Sequence, residues 1–348
     1  MQNLQKYFVV LLFLFRFLCE SVMPVLGKKN VTDGIKLSDR GSIFYDLYVQ
    51  QKRAIWFPEE IQVSQDLMDW HSMGDKERAM FENLIGYFVT SELLVQNVLG
   101  ESFYPYIIDP RVKQAMTVQM FMEDIHSDFF EIILNTFQMD REKAYNLTSV
   151  HPLLKKKQDW VAQAANKISI SNGGIDPDSK EGKKAILHAI LLSSIIQEGI
   201  FFYSAFALFL AFREMGKLSN VSNGIDLVLI DESFHLKLGM ELILAILEES
   251  PEIAQDEEFV KLIQTTIIEC TELELEFVKE QFEGDIINGL SYAEMEQYLK
   301  YVTDRRLEEL GFNPHYSIPD NPLRFLKKQD LTTLQNFFET TPINYTNF

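Results

Sequence analysis

Leu191-Leu-Ser-Ser-Ile-Ile-Gln-Glu-Gly-Ile-Phe-Phe202 is an almost continuous apolar segment with an acid, Glu198, in its interior. It lies within Ala185–Leu210, which is apolar around most of its helical circumference, as is Gly224–Leu247. Such helices are buried at the centre of a bundle. Because a buried carboxylate is costly without a partner, Glu198 requires a compensating group inside the bundle.

The same helical periodicity continues from Ser38 to about Leu310, and strand signals are nearly absent. The predicted helices are Lys76–Leu99, Pro110–Thr136, Leu153–Ile168, Lys180–Met215, Gly224–Glu248, Asp256–Glu280 and Tyr292–Leu310. Beyond Leu310 the pattern lapses into Pro and Asn. The sequence predicts an all-α fold with one large domain at residues 36–312, an N-terminal extension at 1–35 and a flexible C-terminal tail at 313–348.

Acids interrupt the apolar helices at four positions, which are Glu92, Glu123, Glu198 and Glu232. Two of them begin Glu-x-x-His motifs, Glu123 with His126 and Glu232 with His235. Positions three apart share a helix face, so each carboxylate and its imidazole converge on one point. A single Glu-x-x-His is common on solvated faces, but four carboxylates and two imidazoles form the ligand set of a helix-bundle di-iron or di-manganese site. The spacing predicts a ferritin-like bundle with a carboxylate-bridged dinuclear metal site.

The bulk composition excludes several other classes of protein. The 348 residues carry 32 basic and 51 acidic side chains, a net charge of −19, which repels phosphate backbones and disfavours nucleic-acid binding. Cys19 and Cys270 form no zinc or disulfide framework, so we expect a reducing, cytoplasmic location. The apolar run Tyr7–Phe15 is too short to span a membrane but long enough for a signal peptide. No clean cleavage site follows, and we interpret residues 1–22 as a mis-called start or a non-structural extension.

Several stretches resemble the small subunit of class I ribonucleotide reductase, from about Trp56 to the C-terminus. They are Trp56-Phe-Pro-Glu-Glu-Ile61, Glu198-Gly-Ile-Phe-Phe-Tyr-Ser-Ala-Phe206, Asp231-Glu-Ser-Phe-His-Leu236, Asp304-Arg-Arg-Leu307 and Phe337-Phe-Glu-Thr340. The resemblance implies an enzyme subunit that uses a dinuclear metal site and dioxygen to store an oxidising equivalent. The equivalent passes to a large subunit, which reduces ribonucleotides to deoxyribonucleotides.

The resemblance also implies residue roles. The metal ligands would be Glu92, Glu123, His126, Glu198, Glu232 and His235. Asp231 would bond the outer nitrogen of His126, and Trp56 would join this chain at the start of the electron-transfer route. Tyr345, with Glu339 nearby, would relay the hole across the interface while the last residues dock on the large subunit. We expect the protein to form a homodimer and to have no membrane partner.

Two departures from the usual family pattern indicate a subtype. The radical-bearing tyrosine is replaced by Phe130, four residues after His126, and the first ligand is Glu92 rather than Asp. Both resemble the class Ic small subunits of chlamydiae, in which a manganese–iron pair stores the oxidation. Phe202, Phe206 and Val228 would then form an apolar, oxidation-resistant wall. Iron–iron and manganese–manganese centres are the alternatives, since ligand type does not separate the metals.

Two rival functions remain at this point. Ligand-binding oxidases of similar fold act without a partner and carry a Val–Tyr crosslink, but Leu94 and Ser193 occupy the positions that would supply it. A ferritin-type metal-storage bundle would leave Trp56, Asp231 and the Tyr345 tail unexplained.

Overall fold

Helices make up nearly all the regular structure of the computed structural model, which describes residues 24–28, 41–282, 284 and 286–326. In chain order they are α1 (Gly41–Ala54), α2 (Leu67–Ser72), α3 (Asp75–Val98), α4 (Pro110–Thr136), α5 (Arg141–Val150), α6 (Pro152–Ile168), α7 (Lys180–Ile190), α8 (Phe202–Glu214), α9 (Ser219–Glu249), α10 (Pro251–Ala254), α11 (Glu257–Phe282) and α12 (Tyr292–Glu309). A hairpin of β1 (Ile286–Ile287) and β2 (Leu290–Ser291) pairs Ile286 with Ser291. The predicted all-α, ferritin-like fold is confirmed.

Local signals in the sequence set several helix ends. Asp109 begins α4, and its carboxylate accepts from the backbone N–H of Arg111 at 2.7 Å, with Pro110 at the first helical position. Ser291 and Glu294 form a capping box at the start of α12. The predicted range Pro110–Thr136 is therefore the observed one. The helix α5 was not among the predicted helices.

The central predicted helix, Lys180–Met215, is continuous but not uniform. Its middle portion, Leu191–Phe201, is a π-helix between α7 and α8, and a shorter π-helix, Leu99–Phe103, extends α3. The span Lys180–Glu214 is long and apolar enough to cross a membrane by composition, but 94% of its most apolar window is buried inside the protein. It is the core helix of the bundle.

The elements that surround this core helix bring four helical segments together. α9 packs along the π-helix and α8, while α4 packs against both α3 and α1. Phe81, Phe88, Phe130 and Phe209 are fully buried among them and contact one another ring to ring. The interior faces of α3, α4, the π-helix and α9 therefore enclose one space, which positions the candidate site.

Both ends of the described chain are fixed to the bundle. Leu26 forms an isolated antiparallel bridge with Ile107, and the Val25 N–H donates to the Glu249 carboxylate at 3.1 Å. The buried Asp304 carboxylate accepts from the backbone N–H groups of residues 315, 316 and 318 at 2.7–2.9 Å. The division into residues 1–35, 36–312 and 313–348 stays a prediction.

Candidate metal centre

The six predicted ligands come together at the centre of the bundle. Their side chains are fully buried and come from four segments: Glu92 from α3, Glu123 and His126 from α4, Glu198 from the π-helix, and Glu232 and His235 from α9. Each Glu-x-x-His motif lies on one helical turn, so its carboxylate and imidazole point the same way.

The two motif glutamates lie between the two histidines. The Nδ1 atom of His126 is 3.5 Å from Glu123 Oε2 and 3.2 Å from Glu232 Oε1. The Nδ1 atom of His235 is 3.0 Å from Glu123 Oε1 and 3.4 Å from Glu232 Oε2. Each glutamate therefore presents one oxygen to each histidine, as a carboxylate that bridges two cations does.

The donor atoms fall into two overlapping groups within which all ligand atoms lie within 4.8 Å of one another. One group is Glu92, Glu123, His126 and Glu232; the other is Glu198, Glu232 and His235. Glu92 Oε2 lies 3.6 Å from His126 Nδ1, which places Glu92 on the His126 side. Two groups that share a carboxylate can hold a dinuclear metal site.

Most of these buried polar atoms have no hydrogen-bond partner. Both oxygens of Glu92, Glu123 and Glu232, Oε2 of Glu198, and Nδ1 of both histidines are unpartnered. Burying such groups alone is strongly unfavourable, whereas cations coordinated by them supply the missing partners. Carboxylate oxygens and imidazole nitrogens suit manganese and iron, so the residues fit a pair of transition-metal ions.

Proton affinities in the cluster reflect the crowding of acids. Burial raises the pKa of Glu198, and the nearby carboxylates of Glu232 and Glu123 raise it further. Burial likewise raises the pKa of Glu92. Burial also opposes ionisation of Glu123, but the adjacent His235 and His126 outweigh it and lower the pKa of Glu123. Without cations, protons take up part of the charge compensation.

Hydrogen bonds connect His126 to Trp56 through Asp231. The same oxygen, Asp231 Oδ2, accepts from Trp56 Nε1 at 2.9 Å and lies 3.1 Å from His126 Nε2. Asp231 therefore favours the tautomer with a proton on Nε2, which leaves Nδ1 free for a cation. The Trp56 ring lies 6.4 Å from the His126 ring and meets Phe129 edge-on at 5.6 Å.

An aromatic wall stands beside the ligands. Phe130 stacks on Phe88 at 4.6 Å, and Phe88 also contacts Phe202 at 4.8 Å and Phe206 at 5.3 Å. Val228 is fully buried in α9. Phe130, Phe202 and Phe206 thus meet through one ring, Phe88, which carries no hydroxyl. Phe88 was not among the predicted site residues, although its place one helical turn before Glu92 was an available signal.

One further residue contacts a predicted ligand, and two predicted residues are not described by the structure. Gln119, one turn before Glu123 and also overlooked, has its Nε2 3.5 Å from Glu198 Oε1. Tyr345 and Glu339 lie outside the described residues.

Comparisons with known proteins agree with a ferritin-like bundle that can hold a dinuclear metal site. The sequence model of "Ribonucleotide reductase, small chain" matches residues 41–322. The "Ribonucleoside-diphosphate reductase subunit beta" of Chlamydia pneumoniae is 30% identical over 296 residues, 83% of this chain and 83% of that protein.

Two solved structures have the same fold. The ribonucleotide reductase R2 subunit from Clostridium botulinum has a TM-score of 0.77 at 24% identity, covering 87% of this chain and 98% of that one. The dimanganese(II)-NrdF of Streptococcus sanguinis has a TM-score of 0.69 at 19% identity, covering 86% of this chain and 98% of that one. The chain belongs to the ribonucleotide reductase small chain family, as its motifs predicted.

Proposed function

We propose that this protein is the radical-generating small subunit of a class I ribonucleoside-diphosphate reductase. The observation that carries the proposal is the fully buried cluster of four carboxylates and two imidazoles, linked to Trp56 through Asp231, in a chain of this family. The product of its action is a stored oxidising equivalent that a separate large subunit uses to reduce ribonucleotides.

The distances within the cluster support a role for each predicted ligand. Glu123 and Glu232 would bridge the two ions, with His126 and Glu92 completing one side and His235 and Glu198 the other. Bound there, the metals supply the one-electron chemistry with dioxygen that no side chain of the cluster provides. The chain's own contribution is to fix the ligands, exclude water and hold the His126 tautomer.

The route out of the site begins at Trp56. Its ring is nearly buried, stacks on the His126 ring at 6.4 Å and shares the Asp231 Oδ2 atom with His126, so an electron leaving along this route could move together with a proton. Tyr345, with Glu339 nearby, would carry the hole onward in the tail that docks on the large subunit. We also propose a homodimer in the cytoplasm.

Phe130 supports the class Ic subtype. With Phe88, Phe202 and Phe206 it lines the site with rings that cannot form a phenoxyl radical. An oxidising equivalent held on the metals needs no tyrosine at this position. The similarity to the Chlamydia pneumoniae protein points the same way, and we propose a manganese–iron centre, with di-iron and di-manganese as alternatives.

Metal loading tests this function directly. The metal-free protein is loaded in air with iron, manganese or both, and ribonucleotide reduction is measured with the cognate large subunit. We expect turnover only when both metals are supplied. Turnover with iron alone would refute the manganese–iron assignment, and none under any loading would favour the stand-alone oxidase.

The tail residue is tested separately. Tyr345→Phe removes the phenol while leaving the buried ligands intact. We expect unchanged metal content and unchanged dioxygen consumption during loading, with turnover lost. Retained turnover would exclude Tyr345 as the relay.

A further inference from the structure

The π-helix that carries Glu198 receives a hydrogen bond from outside its own helix. Arg306 Nε, on α12, donates to the Gly199 carbonyl at 3.0 Å. Gly199 directly follows Glu198, and Arg306 is only 7% exposed. A guanidinium thus reaches the peptide next to a proposed metal ligand from a distant part of the chain.

The Gly199 carbonyl lies in the turn where the π-helix returns to α-helical spacing. At its end the Phe202 N–H donates to the Gln197 carbonyl five residues back, rather than four as in an α-helix. Where such turns return to α-helical spacing, carbonyls outnumber the amide donors available to them. The hydrogen bond from Arg306 adds a donor from α12 in this turn, and a shift of the helix by one residue would break it.

Close packing at Gly199 makes the contact possible. A Cβ atom there would lie 2.8 Å from Leu236 Cδ1 and 3.2 Å from Arg306 Nε. Both distances are shorter than ordinary van der Waals contact, so a side chain would displace Leu236 and crowd the Arg306 guanidinium. Leu236 directly follows the ligand His235, so Gly199 sits between α12 and the second Glu-x-x-His motif.

Further contacts hold the Arg306 side chain in place. Its Nη1 atom is 2.7 Å from Glu309 Oε2, and the guanidinium lies over the Tyr203 ring at 5.0 Å. The neighbouring Arg305 differs: its side chain is 42% exposed and pairs with Glu308 at 2.9 Å. Two adjacent arginines with matching i,i+3 carboxylates therefore offer a test residue and its control.

We propose that Arg306 is a positioning residue that fixes the π-helical register and thereby aims Glu198 at the metal centre. Glu198 has little other support, since Oε1 is 3.5 Å from Gln119 and Oε2 has no partner. A one-residue slip toward α-helical spacing would rotate the side chain by about 100° and carry it away from His235. The inference rests on the proposed role of Glu198 as a ligand.

The test compares full-length Arg306→Met with Arg305→Met. Hydrogen exchange of backbone amides at residues 199–204 is measured on metal-free protein, and Mn(II) is titrated anaerobically with the free ion followed by electron paramagnetic resonance. For Arg306→Met we expect faster exchange there and one of two Mn(II) ions bound about 10-fold more weakly, the lower range for losing an outer partner. Arg305→Met should match the wild type.

The outcomes separate this inference from the proposed function. Two Mn(II) ions bound with wild-type affinity by Arg306→Met would overturn only the role of Arg306. Fewer than two ions bound by the wild type would overturn the dinuclear centre as well. If Arg306→Met does not fold, Arg306→Lys decides, because it keeps the charge and removes the Nε donor. Equal weakening of both ions in that variant would indicate general destabilisation and also overturn the inference.

Discussion

Two clusters of buried charge occupy the same helix bundle and differ in how their charge is compensated. In the metal centre, four buried carboxylates face only two imidazoles, and the oxygens of Glu92, Glu123 and Glu232 form no hydrogen bond within the protein. In the second cluster Lys157 Nζ lies 2.7 Å from Glu274 Oε2, with both side chains at most 1% exposed. The first arrangement requires cations from solution, whereas the second contains its own.

The second cluster is also enclosed by aromatic rings. Lys157 Nζ lies over the rings of Tyr87 at 4.1 Å, Phe277 at 4.5 Å and Phe201 at 4.6 Å, and Ser204 donates to Glu274 Oε1. Cation–π contacts and a charge-assisted hydrogen bond stabilise a desolvated pair of this kind. Charge that the chain balances itself indicates a structural role, and charge left unbalanced indicates a ligand site.

Glu232→Ala should have the largest effect on the metal centre, because both groups of ligand atoms include Glu232. We expect each ion to bind more than about 100-fold more weakly, since losing even an outer partner costs 10- to 100-fold. Anaerobic metal titration measures the effect. Glu241→Ala, on the same helix and paired with Lys237 at 2.8 Å, is the control. Full binding of both ions by Glu232→Ala would exclude it as a shared ligand.

Lys157→Met should act oppositely, leaving metal binding intact and lowering stability. Removing one partner of a buried pair leaves an uncompensated charge and costs about 3–5 kcal/mol in the free energy of unfolding. Urea denaturation of the metal-free protein measures it. Lys155→Met, which breaks an exposed pair with Asp159, should cost less than about 1 kcal/mol. A similar small loss for Lys157→Met would mean that the buried pair is not structural.

The metal-free protein should respond differently to Glu198→Gln. Because its pKa is raised in the folded state, Glu198 binds more protons folded than unfolded, so its contribution to stability falls as pH rises above the ordinary glutamate value of about 4.3. Gln has no such dependence. We expect the metal-free variant to be more stable than the wild type at pH 7, and we expect it to lose one metal ion.

Thermal unfolding across pH 5–8, with and without Mn(II), tests this. The advantage of the metal-free variant should grow with pH and reverse when metal is added. Lower stability of the metal-free variant at every pH would show that the Glu198 carboxylate has a partner within the protein.

The contrast between the clusters also explains what the sequence could predict. Glu198 and the two Glu-x-x-His motifs stand out because apolar neighbours surround them on helices with a clear period. Lys157 stands in Lys155-Lys-Lys157 and Glu274 in Glu272-Leu-Glu-Leu-Glu276, both of which resemble solvated helix faces. Their pairing joins residues far apart in the chain, so no local pattern indicates it.

The π-helix and the aromatic wall were hidden for related reasons. A π-helix closes its backbone hydrogen bonds over five residues rather than four, and Leu191–Phe201 is apolar on so many sides that its periodicity does not change visibly. Phe88 is one of 27 phenylalanines, and only the packing of α3 against α4 and α8 selects it. The ligand chemistry is local in sequence, whereas the support around it is tertiary.

Asp231 is an intermediate case in how its charge is compensated. It is a buried acid whose partners are N–H groups rather than a cation. Trp56→Phe removes the Nε1 donor at 2.9 Å but leaves His126. We expect a loss of about 1–2 kcal/mol in the free energy of unfolding, unchanged binding of two metal ions, and loss of turnover with the large subunit. Trp160→Phe, a half-buried tryptophan on α6, should keep turnover. If Trp56→Phe lost the metals, the Trp56–Asp231 bond would serve to build the centre, and unchanged turnover would remove Trp56 from the route.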